Sequence, residues 1–181
     1  AGDLYDGTID DYAALVSPLA QVKSRFGIYF AAGNHEEFRD SAPLLAPLRS
    51  LGMHVLANEI MDVDGLQVAG INYSDATSAE KEKAVLSALK IDPAKPSILI
   101  KHVPDHLGTA QAAGFDLQVS GHTHTGQMWP FNLVTKRIFG KFFYGLNRLD
   151  DMQVYTTSGV GTWGPPQRVG TAGEIVVATF E

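Results

Sequence analysis

The chain contains no cysteine among its 181 residues. Disulfide bonds and thiolate metal sites are therefore excluded, and any metal ion must be held by imidazole, amide and carboxylate groups. The sequence also lacks an apolar run approaching the ~20 residues that a membrane-spanning helix needs. Basic residues are in the minority, with 14 Lys and Arg against 20 Asp and Glu and a net charge of −6. This balance argues against a dedicated nucleic-acid binder, which would normally be basic.

Nothing in the composition divides the chain into parts. It has no Gly/Ser/Pro-rich linker, no low-complexity run and no internal repeat. A length of 181 residues is enough for one domain with a complete hydrophobic core. The sequence therefore predicts one domain over residues 1–181.

Four short polar blocks stand out because each follows an apolar run or a glycine turn. In order they are Gly2-Asp3-Leu4-Tyr5-Asp6-Gly7, Gly33-Asn34-His35-Glu36, Lys101-His102 and Gly121-His122-Thr123-His124. Two histidines at i and i+2 after one strand point in nearly the same direction, as a pair of metal ligands does. Open α/β sheets build their sites at the carboxyl ends of strands. We therefore expect the four blocks to meet at one edge of a sheet.

Each block by itself has an ordinary structural interpretation. His102 alone would more often be a strand-end histidine bonded to backbone. Asn34-His35 alone is compatible with a turn, because Asn tolerates positive φ. Asp3 and Asp6 alone are compatible with a helix-capping pair. Four such blocks in this order, each after a strand, are hard to obtain by chance, which favours a joint metal site.

The order of the blocks resembles the calcineurin-like metallophosphoesterase superfamily. The matching motifs are Gly-Asp-x-x-Asp, Gly-Asn-His-Glu, a single His after a strand and Gly-His-x-His, over Gly2 to His124. Gly126-Gln127 and the run from Ser158 to Pro166 are similar to the bacterial membrane-associated branch. The family's opening Asp-x-His block has no counterpart here. The expectation is therefore an N-terminally truncated domain, with a weak or empty second metal site and no activity of this chain alone.

The resemblance implies a site for two divalent metal ions, which could be manganese, iron, zinc or magnesium. In the family pattern Asp3 bridges the two ions, and Asn34, His102 and His122 complete the first. His124 belongs to the second ion, together with the Asp and His of the block that is absent.

The resemblance also implies the reaction, which is hydrolysis of a phosphate ester or pyrophosphate by a metal-bridging hydroxide. His35 corresponds to the residue that donates a proton to the leaving oxygen. Asp6 and Glu36 correspond to groups that orient a ligand or His35. Some similar proteins cleave a lipid-linked sugar nucleotide pyrophosphate, so a phosphorylated small molecule or a lipid-linked compound is the expected substrate. The branch suggests a membrane-associated or extracytoplasmic bacterial protein.

Two other functions compete with this one. The first is an inactive scaffold that uses the fold to bind protein partners, as superfamily members that have lost metal ligands do. The second is a mononuclear histidine-rich hydrolase that acts on something other than phosphorus. Every ligand position that the chain covers carries a competent residue, and a scaffold has no evident need for His35. Asn34 as a ligand beside His35 favours the phosphoesterase over the mononuclear enzyme.

The stretch from Met128 to Leu149 mixes aromatic and basic residues, and no acidic residue lies between Asp116 and Asp150. One interpretation is a long loop that packs over the sheet with Lys and Arg at its edge. The other is a membrane-surface or lipid contact, because interfacial segments combine Trp, Phe and Tyr with Lys and Arg. Both interpretations stay open at the level of sequence.

Several other polar and aromatic residues receive weaker assignments. Trp163 and Pro165-Pro166 are expected to shape a loop near the site, and Arg168 is expected to reach a phosphate oxygen. His54 and His106 are assigned to solvent rather than to a metal, since one follows a helix end and the other lies in a first helical turn.

Hydrophobic periodicity predicts the helices and strands. Helices are expected at residues 9–25 (disturbed at Pro18), 41–51 with Ser41 as N-cap and Gly52 as stop, 79–89, and 104–113. Strands are expected at residues 26–32, 55–57, 59–63, 66–71, 97–100, 117–120, 153–157 and 174–180. The strands at 59–63 and 66–71 are expected to form an antiparallel pair in the middle of the sheet, with its turn at Asp64-Gly65. In the helix at 79–89, the charged residues are expected to face solvent, namely Glu80, Lys81, Glu82 and Lys83. The fold that the resemblance implies is α/β, a two-sheet β-sandwich flanked by helices.

Overall fold

A large sheet, a small sheet and six α-helices make up the described part of the chain, which in the computed structural model is residues 1–5 and 11–180. The helices are α1 (Tyr12–Val16), α2 (Asn34–Glu37), α3 (Ala42–Ser50), α4 (Ala79–Leu89), α5 (Leu107–Ala113) and α6 (Phe131–Phe139). The strands are β1 (Tyr29–Phe30), β2 (His54–Val55), β3 (Glu59–Val63), β4 (Leu66–Gly70), β5 (Ser97–Ile100), β6 (Leu117–Ser120), β7 (Gly145–Leu149) and β8 (Met152–Thr156). Short 3₁₀ turns lie at Ser17–Gln21, Ser74–Ala76, His124–Gly126 and Gly140–Phe143.

The large sheet has the strand order β3-β4-β5-β6-β8-β7. The four inner strands are parallel, and the outer strands β3 and β7 are antiparallel to their neighbours. The predicted two-residue turn is present, with positive φ at Asp64 and Gly65. Its strand pair lies at the edge of the sheet, so the prediction of an antiparallel middle was wrong. Helices α4 and α5 connect the inner strands, and such crossovers make neighbours parallel.

The small sheet is the parallel pair β1-β2. Behind it lies a core cluster that joins the two sheets through Ala31, Leu56, Val68 and Ile100. A second cluster joins β1 to α3, and a third lies between the large sheet and helices α4 and α5. Two packed sheets with helices outside agree with the predicted α/β fold.

The chain between residues 11 and 32 is less regular than its apolar spacing predicts. Helix α1 ends at Val16, and a 3₁₀ turn with Pro18 near its start follows, because a proline ring lacks the N–H that continues an α-helix. Residues 9–10 of the predicted helix lie outside the described residues. The predicted strand over residues 26–32 shortens to the two residues of β1.

Other helix boundaries also differ from the predictions. Ser41 precedes α3 but gives it no side-chain cap, whereas Gly52 ends that helix at positive φ as predicted. Helix α5 begins at Leu107 rather than at Pro104, because His106 takes a left-handed conformation with φ 46°. Residues 174–180 form no strand.

The aromatic and basic stretch is not a long loop. Residues 131–139 contain no glycine or proline and form helix α6, with Pro130 before it and Gly140 after it. Strand β7 then forms an edge of the large sheet. No side chain of α6 is buried. Among the described residues, no helix has the length and apolar composition required to cross a bilayer.

Glu82 was predicted to face solvent, and this was wrong. Its side chain is fully buried between α4 and the end of β5, where one carboxylate oxygen lies 2.5 Å from Nζ of the buried Lys101. The same ammonium donates to the carbonyl oxygen of Asp105 at 2.6 Å. His106 also lies here, with Nδ1 3.7 Å from the Glu82 carboxylate, rather than in solvent. His54 stacks on Tyr29, with ring centroids 5.0 Å apart.

This ion pair gives a prediction about stability. Lys101→Met leaves the Glu82 carboxylate buried without a partner, so we expect the free energy of unfolding to fall by ~3–5 kcal/mol. Denaturant titration measures this loss. Lys95→Met is the matched control, because Lys95 makes an equally short pair with Asp62 but both side chains are about half exposed. Its loss should stay below ~1 kcal/mol. Equal losses in the two variants would contradict this account of the buried pair.

Candidate metal centre

The described part of the first block, residues 2–5, lies directly against the second block and belongs to no helix or strand. The Asp3 carboxylate accepts a hydrogen bond from the backbone N–H of His35 at 2.9 Å. Its other oxygen lies 3.0 Å from Nε2 of His102. Asp3 itself has φ 55°, a backbone conformation that Asp tolerates better than most residues.

Two glycines make this close approach possible. A Cβ atom at Gly33 would overlap the Asp3 carboxylate. A Cβ atom at Gly2, which has φ 77°, would overlap the Gly33 backbone and lie 2.7 Å from Nδ1 of His102. The glycines of both motifs are therefore needed for packing at the site as well as for the turn.

Glu36 connects the two blocks through backbone hydrogen bonds. Its fully buried carboxylate accepts from the N–H groups of Gly33 at 2.7 Å and of Asp3 at 2.8 Å. It also accepts from Leu4 at 2.8 Å and Tyr5 at 3.3 Å. The side chain thus orients the segment that carries Asp3, as the motif suggests, but the bonds of its carboxylate are to backbone rather than to the His35 ring.

Four side-chain atoms converge here, one from the segment of Asp3 and three from residues that follow strands. Asn34 begins α2 after β1 of the small sheet, whereas His102 follows β5 and His122 follows β6 of the large sheet. The blocks therefore meet at strand ends of two sheets, whereas the sequence predicted one edge of a single sheet. The Asn34 oxygen is 3.0 Å from His102 Nε2 and 3.0 Å from His122 Nδ1. The two imidazole nitrogens are 3.1 Å apart. Together with the Asp3 oxygen, these atoms face a common point.

The tautomer of His102 shows what belongs at that point. Its Nδ1 lies 2.6 Å from the carbonyl oxygen of Ala1. A carbonyl oxygen only accepts, so Nδ1 carries the proton and Nε2 of the neutral ring has a lone pair. That lone pair faces the oxygens of Asn34 and Asp3 at 3.0 Å. These electron-rich atoms repel one another unless a cation lies between them, and a divalent ion with nitrogen and oxygen ligands fits the set.

The pKa values of the histidines and of Asp3 are also shifted in the direction that favours metal binding. Burial, followed by the effect of His102, lowers the pKa of His122 to about 4. Burial and the nearby Arg168 guanidinium lower the pKa of His124. Burial alone would raise the pKa of Asp3, but its contacts with His102 and with the backbone N–H of His35 bring that pKa below its usual value. Neutral imidazoles beside an ionised carboxylate are the forms that bind metals.

His35 and His124 lie on the wall of a groove that begins at this centre, next to Asp3. The His35 side chain is 17% exposed, and its Nε2 is 4.0 Å from the Asp3 carboxylate. The buried Nδ1 of His124 has no hydrogen-bond partner among residues 1–5 and 11–180. The structure therefore brings six of the predicted site residues, Asp3, Asn34, His35, His102, His122 and His124, to one place. Asp6 lies outside the described residues.

A second group of possible ligands lies nearby at Glu82, Asp105 and His106. The Lys101 ammonium occupies the space between the two carboxylates, 2.5 Å from Glu82 and 3.0 Å from Asp105. A positive charge already lies within 3.0 Å of both carboxylates and offsets part of their charge, so the structure gives no reason to place a metal ion there.

Arg168, which was predicted to reach a phosphate oxygen, is bonded to backbone in the structure. Its guanidinium donates to the backbone carbonyls of His124 at 3.1 Å, Ser158 at 2.6 Å and Gly161 at 2.6 Å. It therefore holds the turn that carries His124 against the loop after β8.

The sequence analysis gave no role to two further side chains that shape the site, although it noted Gln127 as part of a motif. The Gln127 amide bonds both the N–H and the C=O of Trp163, which places that ring at the groove. The Glu37 carboxylate accepts from the N–H groups of Tyr73 and Ser74. The only signals were their positions next to Gly126 and Glu36 in the motifs, since every partner is more than thirty residues away.

Comparisons with known proteins agree with this geometry. Residues 1–126 match the family model of the calcineurin-like phosphoesterases. An uncharacterised metallophosphoesterase of Helicobacter pylori is 34% identical over 178 residues, which cover 96% of this chain and 48% of that protein. A transmembrane protein with a metallophosphoesterase domain from Bos taurus is 33% identical, over 96% of this chain and 43% of its own length. The phosphodiesterase YaeI of Escherichia coli is 25% identical, over 83% and 56%.

The chain spans about half the length of the curated relatives it matches. No solved structure gives a significant match to it. The family model covers 126 of the 181 residues, and these include the converging side chains of Asp3, Asn34, His102 and His122. The chain belongs to the calcineurin-like phosphoesterase family.

Proposed function

We propose that the protein hydrolyses a phosphate ester or pyrophosphate with divalent metal ions held at Asp3, Asn34, His102 and His122. The observation that carries this proposal is the convergence of one carboxylate, one amide oxygen and two imidazole nitrogens at distances of 3.0–3.1 Å. Membership of the family supports a metal-dependent hydrolase of phosphoesters.

The donor set suits phosphoryl chemistry. Bound divalent ions would supply positive charge for the phosphoryl oxygens and lower the pKa of a coordinated water. Of the four converging side chains, only Asp3 is negatively charged, so its carboxylate offsets only part of that charge. Asn34 and the two neutral imidazoles add no negative charge. The chain thus holds a site whose net charge stays positive toward an anionic substrate.

We propose that His124 belongs to a second ion that shares Asp3. The buried Nδ1 of His124 has no hydrogen-bond partner in the described part of the chain, and the side chains of His124 and Asp3 line the same groove. The described residues offer this ion two ligands, fewer than the three or four that such sites normally use, so it should bind more weakly than the first unless further ligands are supplied.

His35 is our candidate for proton donation to the leaving oxygen. It lies beside Asp3 on the groove wall and is partly exposed, so it can reach a bound substrate. The backbone N–H of His35 bonds the Asp3 carboxylate, which fixes the residue relative to the metal ligands. A scaffold that only binds partners would need neither this histidine nor neutral imidazole ligands.

The metal site can be tested by elemental analysis of the purified protein after incubation with manganese or zinc and removal of free ions. We expect at least one ion per chain, because the four donors are already positioned. His122→Ala removes one donor and should lower the bound metal and weaken its affinity at least ~10-fold. His54→Ala removes a histidine that stacks on Tyr29 and is not one of these donors, so it should leave the metal content and the affinity unchanged. Equal metal content in all three proteins would overturn the assignment.

His35 can be tested separately, because it is not among the metal-binding donors. His35→Ala should keep the metal content and reduce the turnover of a p-nitrophenyl phosphodiester by ~10²–10⁴. Turnover is measured by the release of p-nitrophenol. The assay uses the full-length protein, saturated with metal. Unchanged turnover would remove the proton-donor role. A metal-loaded protein with no hydrolysis of any phosphoester would favour the scaffold instead.

A further inference from the structure

A groove of about 850 Å³ extends from the metal centre along helix α6. Asp3, Asn34, His35, His122 and His124 line one end of it. Away from that end its walls are largely apolar, with major contributions from Phe38, Phe131, Val134, Ile138, Phe139 and Trp163. The volume is within the ~300–1,000 Å³ typical of small-molecule sites.

Helix α6 presents one of its faces to this groove. Phe131, Val134, Thr135 and Ile138 line it, at the spacing i, i+3, i+4 and i+7 that defines one helical face. Phe131 is 56% exposed, Val134 55% and Ile138 67%. Apolar side chains this exposed and this close together are unfavourable in water, and such patches mark binding sites.

We propose that the groove binds the hydrocarbon chain of an amphipathic phosphoester whose phosphoryl group lies at the metal centre. This inference rests on the proposed phosphoester hydrolysis and names its substrate class. The apolar walls offer few hydrogen-bond partners, so a polar substituent placed there would leave its own groups unpaired. A hydrocarbon chain has no such groups, and its burial removes apolar surface of both partners from water.

The charges around α6 complement an anionic head on such a molecule. Lys136 and Arg137 lie in the helix, Lys141 follows it, and no acidic residue occurs between Asp116 and Asp150. This basic stretch attracts the negative phosphoryl group toward the groove while the apolar face receives the chain.

A second cleft offers space for another substituent on the same phosphorus. It has a volume of about 640 Å³, and it reaches His102 and His122 from the other side of Ile138 and Phe139. Tyr73, Asp105 and His106 contribute polar groups to its wall. A diester with one apolar and one polar arm therefore matches the space on the two sides of α6.

The test compares two residues of α6 that are neighbours in sequence but lie on different faces. Val134→Asp places a carboxylate on the groove wall. Leu133→Asp places the same charge at a residue that is 60% exposed and does not line the groove, and it is the matched control. Both positions are exposed enough to accept Asp without loss of the fold.

Binding is measured first, with octylphosphonate and methylphosphonate, which cannot be hydrolysed at the P–C bond and differ only in chain length. Calorimetry of the metal-loaded protein, below the concentration at which octylphosphonate forms micelles, gives both affinities. We expect the octyl compound to bind at least ~10-fold more tightly, because each buried methylene contributes. Val134→Asp should reduce this preference to less than ~3-fold with little change for methylphosphonate. Leu133→Asp should leave both affinities unchanged.

Hydrolysis of p-nitrophenyl octyl phosphate and p-nitrophenyl methyl phosphate gives the second measurement. The kcat/KM ratio of the two esters should show the same preference and the same loss in Val134→Asp. Equal affinities and equal kcat/KM for the two chain lengths would overturn the groove proposal while hydrolysis itself stands. Equal effects of the two α6 variants would also overturn it and point to a membrane-surface role of the whole helix. No hydrolysis of either ester by metal-loaded protein would instead contradict the proposed function.

Discussion

The buried carboxylate of Glu36 is the contact on which the metal centre depends. It accepts four backbone hydrogen bonds, one from Gly33 and three from the segment that carries Asp3. Hydrogen bonds to a charged group are stronger than neutral ones, and a buried carboxylate needs them. This one side chain therefore fixes a segment that has no helix or strand of its own. The segment that it holds is the one that places Asp3 3.0 Å from His102.

The two sides of the centre differ in how they are held. Behind His102, the neighbouring Lys101 is buried with Glu82 and ties strand β5 to helix α4. In front, α6 has no buried side chain and leaves its apolar face open to the groove. In our proposals, rigid metal-binding residues keep the reacting atoms in place, and the exposed helix offers the surface that selects a substrate. The proposals therefore assign chemistry and selectivity to different elements of one fold.

The sequence predicted the regular elements best where its apolar spacing was unambiguous, as at β3, β5, β6 and α4. It failed in the aromatic stretch, because exposed apolar residues of α6 break the rule that such residues face the core. It also failed at Glu82, whose position in the helix suggested exposure to solvent. The reason is that Lys101, which follows β5, lies opposite Glu82 and pairs with it in the core. The motifs correctly predicted that the metal-binding candidates would lie close together. The partners of Glu36 and Arg168 could not be foreseen, since they are backbone groups up to 44 residues away.

Crystallographic detection of the metal would test the central claim most directly. Anomalous diffraction from crystals grown with manganese locates the ion without assumptions about activity. The account predicts a peak within ~2.0–2.3 Å of the donor atoms of Asp3, Asn34, His102 and His122. A peak at Glu82, Asp105 and His106 instead, or no peak at the four converging donors, would contradict it.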